Sequence, residues 1–451
     1  MHSSRPLNRR AFLKATAASS IAFPFFVPRL ISAPPSDRVL HASFGAGGMA
    51  RQDLTSIASH PNVQFVAVAD VEPAKADDLK KKFPGLRVYE DWRVLLDKEK
   101  DLTSVNVSTP DHMHAPIAMS AMRRGLHVYG QKPLTHDLYE TRRLTEFARD
   151  KKLVTQMGIQ IHSHEVYRLA VRLVQDGAIG KVKEVHTWSN KKWGDLSPIP
   201  ARADPVPAGF NWNLWLGVCA ERPFIGAGYY HPGNWRKRID FGTGTFGDMG
   251  CHIYDPVFKA LALTAPASVR SEGPAPNEHS WATDAIIQYV FPGTSFSAGS
   301  TVNVTWYDGD QRPPKEIQEL VRPENRATDA KPWKLTDQGS IFIGTKGVML
   351  LPHIAHPKLF PTEDFADFKM PEIKGANHWH QFVDAIRGQD KTQANFDYAG
   401  PLTEAVLLGS VATRFPKTTL EWNAKKLAFN VKDANTFVRR KYRKGWEVKG
   451  L

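Results

Sequence analysis

Asp248-Met-Gly-Cys-His252, preceded by Gly-Thr-Gly-Thr-Phe-Gly at 242–247, holds the pair of side chains best placed for acid–base chemistry. On a helix, residues four apart share one face, so this carboxylate and imidazole would stand together. An imidazole titrates near neutral pH and can take or give a proton. A nearby carboxylate can orient it or bind a neighbouring hydroxyl. Pairs at this spacing also occur as caps and surface residues, so the reading needs support from elsewhere. Lys132, isolated before Pro133, is a second candidate: an ammonium at a reacting carbon can hold a hydroxyl and stabilise developing alkoxide.

The elements that must position these residues begin with a glycine turn. Val39–Phe44 reads as a short buried strand, and Gly45-Ala-Gly47-Gly48-Met49-Ala50 follows it as G-x-G-x-x-A. The first glycine permits the turn and the second lets backbone approach a pyrophosphate. The small Ala50 allows close helix–strand packing, with phosphates at the helix N-terminus. A second apolar strand, 63–69, ends in Asp70, where an acid can accept from a ribose hydroxyl and favour NAD over NADP. Lys75, Lys80, Lys81 and Lys82 read as a solvated helix face. The alternation continues with a helix at 90–96 and a strand at 104–108 that stops at Thr109-Pro110. A helix runs from Asp111-His-Met-His114 to Arg124, a strand 127–130 leads into Gln131-Lys132-Pro133, and a strand 153–157 leads to Gly158-Ile-Gln160. Strands alternating with helices imply a parallel sheet with ligands at its carboxyl ends. Gly45, Gly47, Gly48, Met49, Asp70, Ser108, Thr109, Pro110, His114, Gln131 and Gln160 are the candidate cofactor contacts.

The pattern changes near residue 161. A helix at 166–175 precedes a half-buried strand at 182–188. Residues 194–234 are then rich in Pro, Gly, Trp and Tyr. Aromatic faces with polar donors suit a carbohydrate, although such rings also pack beneath long loops. Tyr230, His231, Trp235 and Arg236 are the candidate substrate contacts. Strands are expected at 285–291, 295–306 and 340–344, with 307–337 as a charged surface excursion, and helices at 377–386 and 399–409. His378 and His380, two apart, would point away from each other on a helix, so they read as structural or rim residues. No residue spacing resembles a metal site.

Together, the glycine turn, Lys132-Pro133 and Asp248-x-x-x-His252 resemble the Gfo/Idh/MocA oxidoreductases, nicotinamide-dependent enzymes acting on sugars and polyols. The resemblance covers residues 37–445. It implies a two-domain α/β protein: a Rossmann domain with a parallel sheet at 37–160, then an α+β domain at 161–445 with an open, mostly antiparallel sheet. It also implies hydride transfer with Lys132, Asp248 and His252 as the catalytic group, and pairing into dimers or tetramers. The family's usual Glu-Lys-Pro is Gln131-Lys132-Pro133 here, which removes a negative charge beside the lysine and bears on its tuning. Some members use the cofactor as glycosidases, by oxidation, elimination, hydration and re-reduction. A non-catalytic sugar-binding protein retaining NAD is a further alternative.

The first 33 residues carry Asn8-Arg9-Arg10-Ala-Phe12-Leu13-Lys14 and a mildly apolar run, which resembles a twin-arginine export signal. This implies the export machinery as a partner, a periplasmic or exported location, and tightly held NAD. Five Lys/Arg and no acids in that segment account for part of the +13 net charge, leaving +8 dispersed over the remainder. No arginine-rich stripe points to nucleic acid. Cys219 and Cys251 read as two free buried thiols.

Overall fold

The structure, a computed structural model, describes residues 38–323 and 333–451. The twin-arginine segment and part of the 307–337 stretch lie outside them. Strands Val39–Phe44 (β1), Val63–Ala69 (β2), Arg87–Tyr89 (β3), Ser104–Val107 (β4), His127–Gly130 (β5) and Thr155–Met157 (β6) form a sheet in the order β3-β2-β1-β4-β5-β6. Every pairing in it is parallel. The apolar runs that announced these strands are buried on both faces, as a helix-covered parallel sheet requires. Strand order reverses between β1 and β4, so their carboxyl ends flank the crevice in which such sheets bind ligands.

The second sheet has nine strands, in the order β13-β12-β11-β7-β10-β9-β8-β14-β15. They are Val182–Ser189 (β7), Ser268–Ser271 (β8), Ile286–Pro292 (β9), Thr301–Asp308 (β10), Gln338–Gly344 (β11), Val348–Pro352 (β12), Lys358–Phe360 (β13), Thr419–Asn423 (β14) and Ala428–Phe429 (β15). Only β7 and β10 pair in parallel; the other neighbours are antiparallel. The helix Gly244–Ala260 packs on this sheet and carries Asp248 and His252. Pro256 lies inside it and removes the amide that would bond the His252 carbonyl.

Two expectations are corrected. The strand expected from 295 begins at Thr301, because residues 293–300 close a turn through Gly293 N–H to the Ser300 carbonyl (2.7 Å). The 307–337 stretch is more than a surface excursion: Ile317, Val321, Trp333 and Leu335 cover Trp188, Tyr307, Ile341 and Leu350 on the sheet. Its charges hid the apolar residues spaced among them. The chain also returns to the first domain near its end. The helix His378–Ile386 packs on Gly48–Ala58, and Phe396–Ala412 packs on Leu138–Asp150. Arg142 clamps Glu404 across that last contact with two bonds of 2.7 and 2.8 Å.

Candidate active site

The glycine turn is shaped by sterics. Gly45 has φ +103°, and a Cβ there would lie 2.8 Å from both the Ala50 Cβ and the Ser108 carbonyl oxygen. Gly47 caps the helix Gly48–Ala58 in extended geometry with no side-chain bond, leaving the first amides of the helix to an anionic ligand. Gly48, at φ +50°, faces open space, and Met49 is half-buried in the first helical turn. Asp70 is pinned beside this turn: its Oδ2 accepts from Ala46 N–H (2.8 Å) and its Oδ1 from Glu72 N–H (2.9 Å). Each oxygen keeps a lone pair for a ribose hydroxyl.

Beneath the turn lies a carboxylate that sequence reading missed. Asp53 Oδ2 accepts from Ser108 Oγ and Gln131 Nε2, both at 2.8 Å, and its Oδ1 accepts from Trp379 Nε1 at 3.0 Å. Burial pushes it up to about 6 against these bonds. A glutamate in place of Gln131 would set a second carboxylate against this one, whereas the amide donates to it. Gly158 makes room, because a Cβ there would meet Gln131 Nε2 at 2.5 Å. His114 bonds the carbonyls of Thr109 and Pro133, both at 2.7 Å. It therefore braces the two turns, with neither ring nitrogen left for a cofactor. Pro110 leads into the short helix Asp111–Met113. Thr109 Oγ1 and Gln160 Oε1 are sealed from solvent with no partner among the described residues. Sealed polar atoms of this kind call for a ligand. The steric cradle, the uncapped amides, Asp70 and these two orphans fit a dinucleotide.

At the carboxyl end of β5, Lys132 reaches across to the helix Gly244–Ala260. Its Nζ donates to Asp248 Oδ1 at 2.7 Å and to the Asp248 carbonyl at 2.9 Å. One of its three N–H groups remains for a substrate oxygen. Arg236 Nε donates to Asp248 Oδ1 (3.1 Å) and Trp193 Nε1 to Oδ2 (2.9 Å). Burial alone would raise the Asp248 pKa, but Lys132 and Arg236 hold it well below the usual carboxylate range. Asp248 is thus a fixed anion that spends its oxygens on these donors and makes no bond to His252, so the expected orienting contact is absent.

His252 lies one helical turn further on. Its Nδ1 is sealed with no partner among the described residues. Burial first, then the Lys132 charge, pulls its pKa well below 6.5. The ring is therefore neutral; Nδ1 is closed off, and Nε2, which is not sealed, is the nitrogen that could accept a proton from a substrate. The same helix continues to Asp255, whose Oδ1 bonds His162 Nδ1 at 2.8 Å and accepts from the Tyr398 hydroxyl at 2.6 Å. Asp255 could have been read as the third member of a 248/252/255 stripe. His162 carries no local signal.

Of the four residues expected at substrate, Arg236 joins the Asp248 cluster. Tyr230 and Trp235 are buried, and Tyr230 packs among Trp212, Trp215, Tyr229 and Phe241. The Trp235 ring supports the Arg236 guanidinium at 4.3 Å. His231 stacks on Phe210 at 5.0 Å and stands 3.5 Å from Glu72, two residues after Asp70. The aromatic loop therefore packs mainly on itself and reaches the ribose end of the crevice through His231. Cys219 and Cys251 are free and buried, and no group of three or more His, Cys, Asp or Glu among the described residues could hold a metal.

Comparison with known proteins agrees with this geometry. Residues 41–159 match the oxidoreductase family model with an NAD-binding Rossmann fold, and residues 172–308 match that family's C-terminal α/β domain. The chain is 24% identical over 188 residues to levoglucosan dehydrogenase of Pseudarthrobacter phenanthrenivorans, covering 42% of this chain and 40% of that protein. It is 34% identical over 133 residues to the dTDP-3,4-didehydro-2,6-dideoxy-alpha-D-glucose 3-reductase of Streptomyces violaceoruber, covering 30% of this chain and 38% of that protein. The chain thus spans about two-fifths of the length of these curated relatives. Its fold is similar to that of the WlbA dehydrogenase from Chromobacterium violaceum in complex with NADH and UDP-GlcNAcA, with a TM-score of 0.61 at 14% identity over 88% of this chain and 99% of the other. The Rossmann turn, the Lys132–Asp248 junction between domains and both family matches lead to one conclusion: this chain belongs to the Gfo/Idh/MocA family of oxidoreductases.

Proposed function

We propose that this protein is an NAD-dependent oxidoreductase that moves hydride to or from a carbinol carbon of a sugar or polyol. The observation that carries the reading is Lys132 Nζ at 2.7 Å from Asp248, with the neutral ring of the half-buried His252 one turn away. A bound nicotinamide would supply the hydride acceptor. In the oxidation direction, His252 takes the hydroxyl proton as the C–H bond breaks, and the remaining N–H of Lys132 stabilises the alkoxide as it forms. Asp248 keeps Lys132 and Arg236 in place and stays ionised throughout. In reduction the same groups act in reverse. Asp70 supports NAD over NADP, since a 2′-phosphate would meet its carboxylate. The Asn8-to-Lys14 motif supports twin-arginine export to the periplasm, which fits a tightly held cofactor. The family supports homo-oligomers.

The Asp255–His162 pair favours a second reading. A glycosidase using the same cofactor without net redox needs acid–base groups beyond those that serve hydride transfer, for elimination and hydration. Mass spectrometry of the denatured protein should detect NAD, and a screen of sugars, polyols and aryl glycosides should yield reduced nicotinamide. Aglycone release without accumulating reduced nicotinamide would favour the glycosidase. A purified protein that binds no nicotinamide dinucleotide and acts on none of these compounds would sink both.

A further inference from the structure

A second group of cations lies apart from Asp248, in a cavity of about 330 Å³ whose lining includes His136, Trp281, Ser410, Arg414, Phe437 and Arg440. The Arg414 guanidinium is held between two rings, 4.9 Å from Trp281 and 4.4 Å from Phe437. Among the described residues, no acceptor takes a hydrogen bond from it. Asp240, the acid whose charge acts on it, is already ion-paired with Arg222. Arg440 Nη2 reaches only Cys219 Sγ at 3.1 Å and the Asp240 carbonyl at 3.2 Å, and its Nη1 is sealed without a partner. Ser410 Oγ and His136 Nε2 are sealed in the same way.

Among the described residues, no carboxylate makes an ion pair with either guanidinium, although Glu140 and Asp137 act on Arg440 by charge. Asp137 spends its oxygens on the backbone amides of Glu140 and Arg440. Burial first, then the Asp137 charge, pushes the Glu140 carboxyl up. Burial draws Arg414 down to about 10, as befits a cation that has lost water without gaining an ion pair. Three buried polar atoms without a partner among the described residues cluster beside this cavity, and each calls for an explanation.

We propose that this cavity binds a small oxyanion, carrying a phosphate or carboxylate group, between Arg414 and Arg440. The flat faces of Trp281 and Phe437 fix the Arg414 plane, which presents its N–H fork for two parallel bonds to such a group. The cavity is large enough for inorganic phosphate or a four-carbon dicarboxylate. None of these side chains belongs to the hydride-transfer cluster.

Isothermal titration of the full chain, loaded with NAD so that the glycine turn is filled, tests this at constant ionic strength. Inorganic phosphate and succinate are the two probes, against chloride. At least one should bind with a single site per chain. Arg414→Met and Arg440→Met should each weaken it roughly tenfold or more, as for lost charge-assisted bonds. Ser410→Met should abolish it by filling the cavity. Binding of phosphate alone assigns a phosphate ester, and binding of succinate alone a carboxylate. Among the described residues Arg414 makes no side-chain hydrogen bond, so its variant should keep the fold, which thermal unfolding checks. No binding of either probe to the wild type, or binding that survives both Arg414→Met and Ser410→Met, overturns the proposal.

Discussion

Two places among the described residues pair half-buried cations, and they are built in opposite ways. At Asp248 the anion belongs to the protein: Lys132 and Arg236 both close on one carboxylate, at 2.7 and 3.1 Å. At Arg414 and Arg440 the nearby carboxylates bond neither guanidinium, and Nη1 of Arg440 has no partner among the described residues. A cation whose charge is already balanced can donate to a neutral hydroxyl without drawing in a competing anion. A cation left unbalanced selects for one. The first arrangement suits a sugar or polyol, and the second suits an oxyanion. The same residue types thus take neutral or charged ligands according to where the balancing carboxylate sits.

The comparison is broken most severely at its proton acceptor. His252→Ala should lower kcat by roughly 10²–10⁴-fold, the usual worth of a positioned acid–base group, while NAD stays bound. Because burial and Lys132 hold the ring well below 6.5, the wild type should keep its oxidation rate as pH falls through that value. The acid limb of the kcat profile should appear only lower down, since a depressed pKa preserves the base form. A limb at or above the ordinary histidine value would contradict the neutral ring. Lys132→Met should cost roughly 10²–10³-fold in kcat, as for removal of a preorganised donor to the oxyanion. It should also move that limb upward, because the largest charge depressing the ring is gone.

Asp248→Asn sharpens the comparison by making the first cluster resemble the second. Lys132 and Arg236 would lose their anion, and inhibition by added phosphate should tighten about tenfold, the worth of one charge-assisted bond. Unchanged phosphate inhibition would mean that the carboxylate does not balance them. Asp70→Ser should change relative affinity for NADP over NAD by roughly tenfold with little effect on kcat, as expected from losing ribose contacts. The smallest effect is expected at Arg414→Met. Relief of an unpaired buried charge there offsets two ring contacts of about 0.5–1 kcal/mol each, so thermal unfolding should shift by only a few degrees.

Legibility in the sequence followed the range of each interaction. The glycine turn, Asp70 and the strands β1, β2, β4 and β5 are local patterns, and they lie where periodicity and the G-x-G-x-x-A spacing put them. Lys132, Asp248 and His252 were visible because one lies beside a strand-end proline and the others share a helix face. Their partners were hidden. Trp193, Arg236, Asp53 and His162 acquire their roles only from contacts made far along the chain. The aromatic loop misled because Tyr and Trp serve cores as readily as carbohydrate faces, and here Tyr230 and Trp235 serve the core. Gln131 looked like a loss beside Lys132. It is explained by Asp53, whose carboxylate it meets at 2.8 Å, and by Asp248, which supplies the charge that Lys132 needs. The 307–337 stretch misled by its charge, because four apolar residues are enough to cover one face of a sheet.

The central claim is that the Lys132–Asp248–His252 group supports hydride transfer from a hydroxyl-bearing carbon. Its most direct test is isotopic. A sugar or polyol found active in the screen, deuterated at the carbon to be oxidised, is mixed with the NAD-loaded protein, and the nicotinamide is recovered for mass spectrometry. The account predicts deuterium in the reduced nicotinamide from the wild type, and formation slowed by at least about a hundredfold in His252→Ala. Reduced nicotinamide without deuterium, or with deuterium formed as fast in His252→Ala as in the wild type, would contradict it.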